Sequence, residues 1–316
     1  MLYDLIVLGD LVADLIVPVE RLPLMPLQHG WAEGIFVEPG GAGNVLVSAR
    51  RMGLFTATLG LIGSDYYGTR MLEMLAQEGV EVEHVAVYPS RATVVCMVLA
   101  DVQGQHVYLG IKDQLGRWPF PADWHTIIPQ TRALFTDGYT IRDLLEPADT
   151  LAALATARAA GVPIYFDPGP SIEFVPADFM RQVIAATDTL LLTEEEAVML
   201  CGVEKRTALL AALLSLGPHT VVMKQGAAGC TIATANGLVQ SPGFPVKVVD
   251  TVGAGDSFAA AFIAGQLRGG SLAQAARLAN AMGALTAMQR GAGTRIPPRA
   301  SLLQMLANEP DILALA

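Results

Sequence analysis

Residues 250–258 have the sequence DTVGAGDSF, and an apolar, alanine-rich stretch follows them. That stretch is typical of a buried helix, so Gly253, Ala254 and Gly255 are expected at its N-terminus. The backbone N–H groups there have no intrahelical acceptors and the helix dipole favours negative charge, so the segment predicts an anion site. A carboxylate beside a phosphate is a poor ligand for it. Asp256 is better interpreted as a base that deprotonates a hydroxyl attacking that phosphate.

The same residues have a purely structural interpretation. Glycine-rich turns precede many helices, and an aspartate in a first helical turn is often only a favourable charge. For Gly-Ala-Gly alone this interpretation is the better one. The whole string is more specific, because it resembles the C-terminal signature D-T-x-G-A-G-D of the ribokinase-like (PfkB-type) sugar kinases. The resemblance implies an anion hole from the backbone of residues 253–255 and a catalytic base at Asp256.

Composition and charge restrict the classes of partner. The chain has 316 residues, of which 52% are hydrophobic, and a formal net charge of −10. This charge, without any basic run, argues against nucleic acid and anionic membrane surfaces as partners. The three cysteines are far apart and predict neither a disulfide framework nor a zinc site. With no signal-peptide pattern at the start of the sequence, we expect a cytoplasmic protein with reduced thiols.

The order of apolar segments predicts an α/β fold. Short apolar, β-branched runs alternate with longer helical runs, which indicates a parallel sheet covered by helices on both faces. The predicted strands are residues 5–9, 56–62, 133–137, 163–167, 190–193 and 220–224, and the predicted helices are residues 44–52, 69–78, 148–160, 194–201, 205–216, 256–267 and 271–290.

Two segments interrupt this alternation. Residues 16–37 are proline-rich, and residues 93–109 predict two strands around a turn at residues 101–104. Both are expected to form β-structure outside the main sheet, where a small lid would exclude water from the strand ends. The family resemblance implies a three-layer αβα ribokinase-like core with a mostly parallel central sheet. We expect one domain over residues 1–316, with a β-sheet lid formed by about 12–38 and 90–112.

The segment PGGAGN at residues 39–44 is the first candidate for substrate binding. Its glycines allow close backbone approach, and the Asn44 amide is both donor and acceptor, as hydroxyl recognition requires. An ordinary loop with an asparagine N-cap would have the same sequence. The segment resembles the family's Gly-Gly…Asn signature, which implies that Gly40, Gly41 and Asn44 bind sugar hydroxyls.

Two aspartates follow the first strand. Family members have an acidic residue at the position of Asp14 that binds sugar hydroxyls, and a carboxylate suits this role. Asp10 is a weaker candidate for the same function. The alternative for Asp14 is a solvated aspartate at a strand end. Residues 60–68 also resemble a family run, but Asp65 is interpreted there as a helix cap.

The nucleotide side is predicted mainly from resemblance. The run KQGAAG at residues 224–229 resembles the family's K-x-G-x-x-G turn, which lies beside the nucleotide, and alone it would also fit a plain hairpin turn. Residues 290–294 match a region that closes around adenine. The resemblance thus implies a cofactor-binding set of Lys224, Gly226, Gly229, Thr251 and Asn280.

The metal assignments also follow from the resemblance. Glu196 matches the glutamate of the family's N-x-x-E motif, which organises Mg²⁺ and phosphate through water, whereas Thr193 replaces the asparagine. On spacing alone, glutamates opening a helix would only complement its dipole. Asp250 is the candidate for a monovalent cation such as K⁺, which activates several relatives.

These motifs together predict an ATP-dependent, Mg²⁺-requiring kinase for a sugar or sugar-like substrate, forming a homodimer through its lid. The Asp167-Pro168-Gly169-Pro170 turn lacks the arginine of the fructokinase motif D-P-N-x-R, which weakens assignment to fructose. A nucleoside or vitamin-precursor kinase of the same fold remains an alternative. A catalytically weak ligand-binding or regulatory homologue is the other.

Overall fold

An eight-stranded sheet forms the centre of the protein in the computed structural model, which describes residues 2–27 and 29–316. Numbered in chain order, the strands of the protein are β1 (Leu5–Leu8), β2 (Leu11–Pro18), β3 (Phe36–Gly41), β4 (Thr56–Leu59), β5 (Leu61–Gly63), β6 (Ala86–Tyr88), β7 (Val95–Ala100), β8 (His106–Ile111), β9 (Leu134–Asp137), β10 (Ile164–Asp167), β11 (Thr189–Thr193), β12 (Thr220–Lys224), β13 (Cys230–Thr234) and β14 (Gly237–Ser241).

Helices lie between most of these strands. They are α1 (Ala42–Arg51), α2 (Tyr66–Gln77), α3 (Trp124–Ile127), α4 (Pro147–Ala159), α5 (Ala177–Ala185), α6 (Glu194–Cys201), α7 (Arg206–Ser215), α8 (Ala254–Leu267), α9 (Leu272–Ala287), α10 (Arg299–Met305) and α11 (Pro310–Leu313), with a π-helical turn at Thr140–Leu144. Among the described residues, no helix is long and apolar enough to span a membrane.

The central sheet has the order β14-β13-β12-β11-β10-β9-β1-β4, and only β13 and β14 run antiparallel to their neighbours. Successive side chains of a strand point to opposite faces. In β1, Leu5 and Val7 therefore contact the apolar cluster around α1, α8 and α9, whereas Ile6 and Leu8 contact the cluster around α4, α5 and α7. Both faces are buried, which confirms the predicted three-layer α/β arrangement.

A smaller sheet of order β3-β2-β7-β8 lies outside this core. Its hairpin β7–β8 turns at Asp101, whose carboxylate accepts hydrogen bonds from the N–H groups of Gln103 and Gln105. Ala13 and Leu15 of β2 pack against Met71 and Met74 of α2, so β2 turns its alternate residues, including Asp14, the opposite way. The smaller sheet thus presents one face to the C-terminal ends of the parallel strands.

Local details agree with the sequence in most places and differ in two. Asp65 caps α2 and Ser271 forms a capping box with Gln274 at α9, both as predicted. The predicted strand 56–62 is divided at Gly60 into β4 and β5, which belong to different sheets. The asparagine N-cap alternative is wrong for Asn44, because α1 already begins at Ala42.

Candidate active site

The predicted base and the predicted substrate asparagine are in direct contact. The Asn44 amide Nδ2 donates to Oδ2 of Asp256 at 2.9 Å, although the residues are 212 positions apart. Asn44 Oδ1 accepts a hydrogen bond from the N–H of Gly293 at 2.9 Å, which fixes the orientation of the amide. One oxygen of Asp256 is thereby held, and the carboxylate is positioned in the first turn of α8.

The environment of Asp256 suits a general base. Burial raises its pKa to about 7, and the charge of Asp167 acts in the same direction, while Asn44 and Lys224 oppose the shift. A base with a pKa near the working pH combines a large ionised fraction with a strong driving force for proton transfer. The arrangement can therefore accept a proton from a hydroxyl at neutral pH.

The residues predicted to form the anion hole lie at the N-terminus of α8. Gly253, with a φ of 72°, precedes α8, and the first backbone bond of the helix runs from the N–H of Ser257 to the carbonyl of Gly253 at 2.9 Å. The N–H of Ala254 donates to the carbonyl of Thr251 at 3.2 Å. The N–H groups of Gly255 and Asp256 precede the first helical bond, as at any helix N-terminus, and are available to an anion.

Asp14 and the Gly-Gly pair face each other across β2 and β3. Burial raises the pKa of Asp14 to about 7, helped by the charges of Asp256 and Glu38. A Cβ atom at Gly40 would overlap the Asp14 carboxylate, and Gly41 adopts a φ of 52°. Gly40 and Gly41 are thus required for the close approach of these strands and of any ligand between Asp14 and Asn44.

Asp10 adds a further buried carboxylate. Its backbone N–H donates to Oγ1 of Thr140 at 3.1 Å, and its Oδ1 is buried without a hydrogen-bond partner among the described residues. Burial raises the pKa of Asp10 to about 7, and the charge of Asp137 is the next largest cause. An unsatisfied buried oxygen is costly unless a ligand supplies the donor, so this atom is suited to a substrate hydroxyl.

Two aspartates of the site were not predicted. Asp137 ends β9 and accepts hydrogen bonds from the N–H and hydroxyl of Thr140, and burial raises its pKa to about 6. Asp167 ends β10 and receives the Lys224 ammonium at 2.5 Å. Asp137 belongs to no recognisable motif, and Asp167 was considered only as the first residue of a turn that departs from the fructokinase motif. The available signal was their common position after apolar parallel strands, where ligands bind in such sheets.

Lys224, Asp167 and Glu196 form a buried charge cluster beside the anion hole. Burial alone would lower the pKa of Lys224, but the carboxylates of Asp167 and Glu196 together have the larger effect and raise it. Burial, with the charge of Asp167, raises the pKa of Glu196. Glu196 Oε2 accepts the N–H of Thr193 at 2.7 Å, and Thr193 caps Glu196 in return. Thr193 therefore orients the glutamate through a capping box.

A cleft of about 870 Å³ opens next to this cluster. It is lined by Lys224, Gly226 and Thr251 of the predicted cofactor-binding set, together with Glu194 and Arg206. Gly229 precedes β13 and packs against the end of β14, where a Cβ atom would overlap the carbonyl of Ser241. A cleft of this size suits a nucleotide.

Asn280 and Asp250 lie at the border of these regions. The Asn280 amide donates to Oγ of Ser241 at 3.0 Å and to its carbonyl at 3.1 Å, so it supports the cleft wall from behind. Asp250 accepts the N–H groups of Val252 and Gly291, both at 2.8–2.9 Å, and its Oδ1 lies 3.3 Å from His106 Nε2 of the lid.

Within residues 2–27 and 29–316, no three acidic, histidine or cysteine side chains are grouped so that they alone would hold a metal ion. Mg²⁺ in kinases keeps several waters and takes substrate phosphates as ligands. The carboxylate of Glu196, in the charge cluster next to the cleft, is compatible with such a water-mediated site.

Comparisons with known proteins give matches over most of the chain. The family model described as pfkB family carbohydrate kinase matches residues 3–299. An ATP-dependent ribose-1-phosphate kinase of Halopiger xanaduensis is 32% identical over 271 residues, 85% of this chain and 86% of the relative. A fructokinase of Klebsiella pneumoniae is 30% identical over 317 residues, 95% of this chain and 98% of the relative.

A solved structure has the same fold. The Arabidopsis thaliana ribokinase complexed with ribose and ATP superposes with a TM-score of 0.82 at 24% identity, covering 97% of this chain and 99% of that one. At this level of identity the likeness concerns the fold: a large, mostly parallel sheet with a smaller second sheet.

Proposed function

The chain belongs to the PfkB family of carbohydrate kinases, and from that premise we infer that it transfers the γ-phosphate of ATP to a hydroxyl of a sugar-like substrate. The observation that carries the assignment of roles is the Asn44–Asp256 contact at the N-terminus of α8. It holds a carboxylate with a pKa of about 7 next to helix N–H groups that suit a phosphate.

We propose that the acceptor lies between the lid and the strand ends. Asp14, Asp10, Asn44 and the backbone at residues 40–41 would bind its hydroxyls, leaving one hydroxyl against the free side of Asp256. As that oxygen attacks, Asp256 accepts its proton. The N–H groups of Gly255 and Asp256 stabilise the negative charge of the transferred group, whereas that of Ala254 already donates to Thr251. Catalysis therefore consists mainly of positioning and charge neutralisation.

The nucleotide would occupy the cleft lined by Lys224, Gly226 and Thr251, with Gly229 and Asn280 shaping its wall. Mg²⁺ would lie between the phosphates and Glu196, through water, where it supplies further neutralisation of phosphate charge. K⁺ near Asp250 is a separate proposal. Omission and restoration of K⁺ in the assay test it directly, and equal rates would contradict it.

Asp256→Asn tests the assignment of the base. The variant keeps the shape and the hydrogen bond to Asn44 but cannot accept a proton, so kcat should fall by about 10²–10⁴-fold. Binding of ATP, measured by calorimetry, should change little. Turnover near that of the wild-type enzyme would contradict the assignment. ATP binding lost together with kcat would show a structural role instead.

The names of the relatives do not identify the chemical class of the acceptor, because they include a sugar, a sugar phosphate and a nucleoside. ATP consumption over a panel of sugars, sugar phosphates, nucleosides and vitamin precursors separates these alternatives. A catalytically weak binding protein would bind an acceptor but turn over ATP with none of them.

We also propose a homodimer formed through the lid. β8 ends the smaller sheet, and alternate residues Val107, Leu109 and Ile111 of this edge strand are exposed. An exposed apolar edge invites pairing with a second chain. Sedimentation should give a dimer that Leu109→Lys weakens, and a wild-type monomer at assay concentration would contradict the proposal.

We place the enzyme in the cytoplasm, where ATP is available and its three free thiols stay reduced.

A further inference from the structure

A second cavity, of about 260 Å³, has Asp10 in its wall. Its other walls include residues that follow β8 and the π-helical turn Thr140–Leu144. Four cationic side chains (Arg91, Lys112, Arg117 and Arg142) and three carboxylates (Asp10, Asp113 and Asp143) line it. The cations therefore outnumber the carboxylates by one, in a chain whose net charge is −10.

Asp10 belongs both to the proposed acceptor site and to the wall of this cavity. The charges of Asp14 and Asp137 and those of Lys112 and Asp143 all act on its carboxylate. Its Oδ1 is buried without a partner among the described residues. A ligand whose hydroxyl satisfies this oxygen would therefore extend into the cationic cavity.

Two of the cations are held by the protein itself. Arg91 binds Asp113 with two hydrogen bonds of 2.7 and 2.9 Å and stacks on Trp118, with 4.2 Å from its guanidinium carbon to the ring centre. Arg117 donates to the carbonyl oxygens of Ile141 and Leu145. These arginines give the cavity fixed walls and a positive potential.

The other two cations share one carboxylate. Asp143 accepts Lys112 Nζ at 2.8 Å through one oxygen and Arg142 Nε at 3.1 Å through the other. Lys112 lines the cavity and its side chain is 51% exposed, so it is accessible to a ligand there. One carboxylate cannot balance two cations, and a planar guanidinium beside an ammonium is a suitable pair for a phosphate dianion.

We propose that the acceptor is a phosphorylated sugar, whose existing phosphate binds Lys112 and Arg142 while Asp10 and Asp14 bind its hydroxyls. This inference rests on the proposed kinase function and specifies its substrate class. The acceptor hydroxyl oxygen bonds to the γ-phosphorus of ATP, the bond to the β,γ-bridging oxygen breaks with its electron pair leaving on ADP, and the proton passes to Asp256. The acceptor's own phosphate is retained, so the product is a sugar bisphosphate.

Matched acceptors test the proposal. ATP consumption is measured with ribose, ribose 1-phosphate and ribose 5-phosphate, and with fructose, fructose 1-phosphate and fructose 6-phosphate. At least one phosphorylated sugar should exceed its parent sugar in kcat/KM by about 10²-fold or more, since two charge-assisted contacts are gained. Titration of that sugar phosphate into the enzyme without ATP should give saturable binding.

Variants then locate the phosphate. Lys112→Gln and Arg142→Gln should each raise KM for the sugar phosphate by about 10- to 100-fold, and should lower its kcat/KM relative to the parent sugar by the same factor. Arg181→Gln, which removes an exposed arginine from α5, is the matched control and should leave that ratio unchanged. Thermal melting of each variant distinguishes lost binding from lost folding.

The two levels of the proposal fail differently. A parent sugar that equals or exceeds all its phosphates, or a ratio insensitive to Lys112 and Arg142, overturns the phosphate subsite and leaves the kinase function standing. Saturable, Arg142-dependent binding of a sugar phosphate without ATP turnover supports the subsite and contradicts the kinase function.

Discussion

Asn44→Ala is the sharpest test of how this site controls its base. Asn44 donates a hydrogen bond to Asp256 at 2.9 Å. The bond stabilises the ionised carboxylate and lowers its pKa, which burial raises to about 7. A hydrogen bond to a charged group is worth about 1.5–3 kcal/mol. At about 1.4 kcal/mol per pKa unit, its loss should move the pKa of Asp256 to about 8–9.

The consequence is a rate loss that depends on pH. The base acts in its ionised form, so activity rises as pH rises through its pKa. At pH 7 the ionised fraction should fall from about one half to about 1–10%, and kcat/KM should fall about 5- to 50-fold. Near pH 9.5 most of this loss should disappear. A residual loss at high pH measures the contact that Asn44 makes with the acceptor.

The assay is the profile of kcat/KM against pH, from about 5.5 to 9.5, in wild type and variant. Asn236→Ala, which removes an exposed carboxamide between β13 and β14, is the control and should keep the wild-type profile. An unmoved midpoint with an equal loss at every pH would refute the reasoning, because Asn44 would then act without influencing the protonation of Asp256.

Three further predictions concern the acceptor site and its charges. Gly40→Ala should raise the KM for the acceptor at least about 10-fold without changing the KM for ATP, because the added Cβ would overlap the Asp14 carboxylate. Gly34→Ala is the control, since its Cβ would meet open space, and it should change neither KM. Asp14→Asn should stabilise the protein by about 1–4 kcal/mol at pH 8 but not at pH 4. The pKa of Asp14 is raised to about 7 in the folded state, so the wild-type protein loses stability as pH rises from the unfolded pKa of about 3.9 through the folded one. Equal melting shifts at both pH values would contradict this. Lys224→Met should cost about 3–5 kcal/mol, and Asp167→Asn in the same chain should restore part of it in denaturant unfolding.

The sequence predicted the parts of the site that have a fixed order of residues. Asp256 and its three preceding residues form a contiguous string, and so do Gly40, Gly41 and Asn44. Their contact across 212 positions could not be read from spacing. It follows from the packing of α1 against α8, which places two helix N-termini side by side.

The unpredicted residues lack such strings. Asp137 and Asp167 are single aspartates at strand ends, and a single aspartate there is usually a solvated charge. Their importance arises from burial and from neighbours that other strands supply, such as Lys224. The four cations of the second cavity likewise come from separate segments, so a sequence without a basic run gave no sign of them.

The span of these contacts has a consequence for how the enzyme acquires activity. Glu38 of β3 accepts Thr294 Oγ1 at 2.5 Å, and Asn44 accepts the N–H of Gly293, so the first and last parts of the chain complete the site together. Contacts of such sequence separation form late and slowly in folding, after local helices are established. Helical signal should therefore recover before activity when the denatured enzyme is refolded, because phosphotransfer requires Gly293 and Thr294 to dock against α1 and β3.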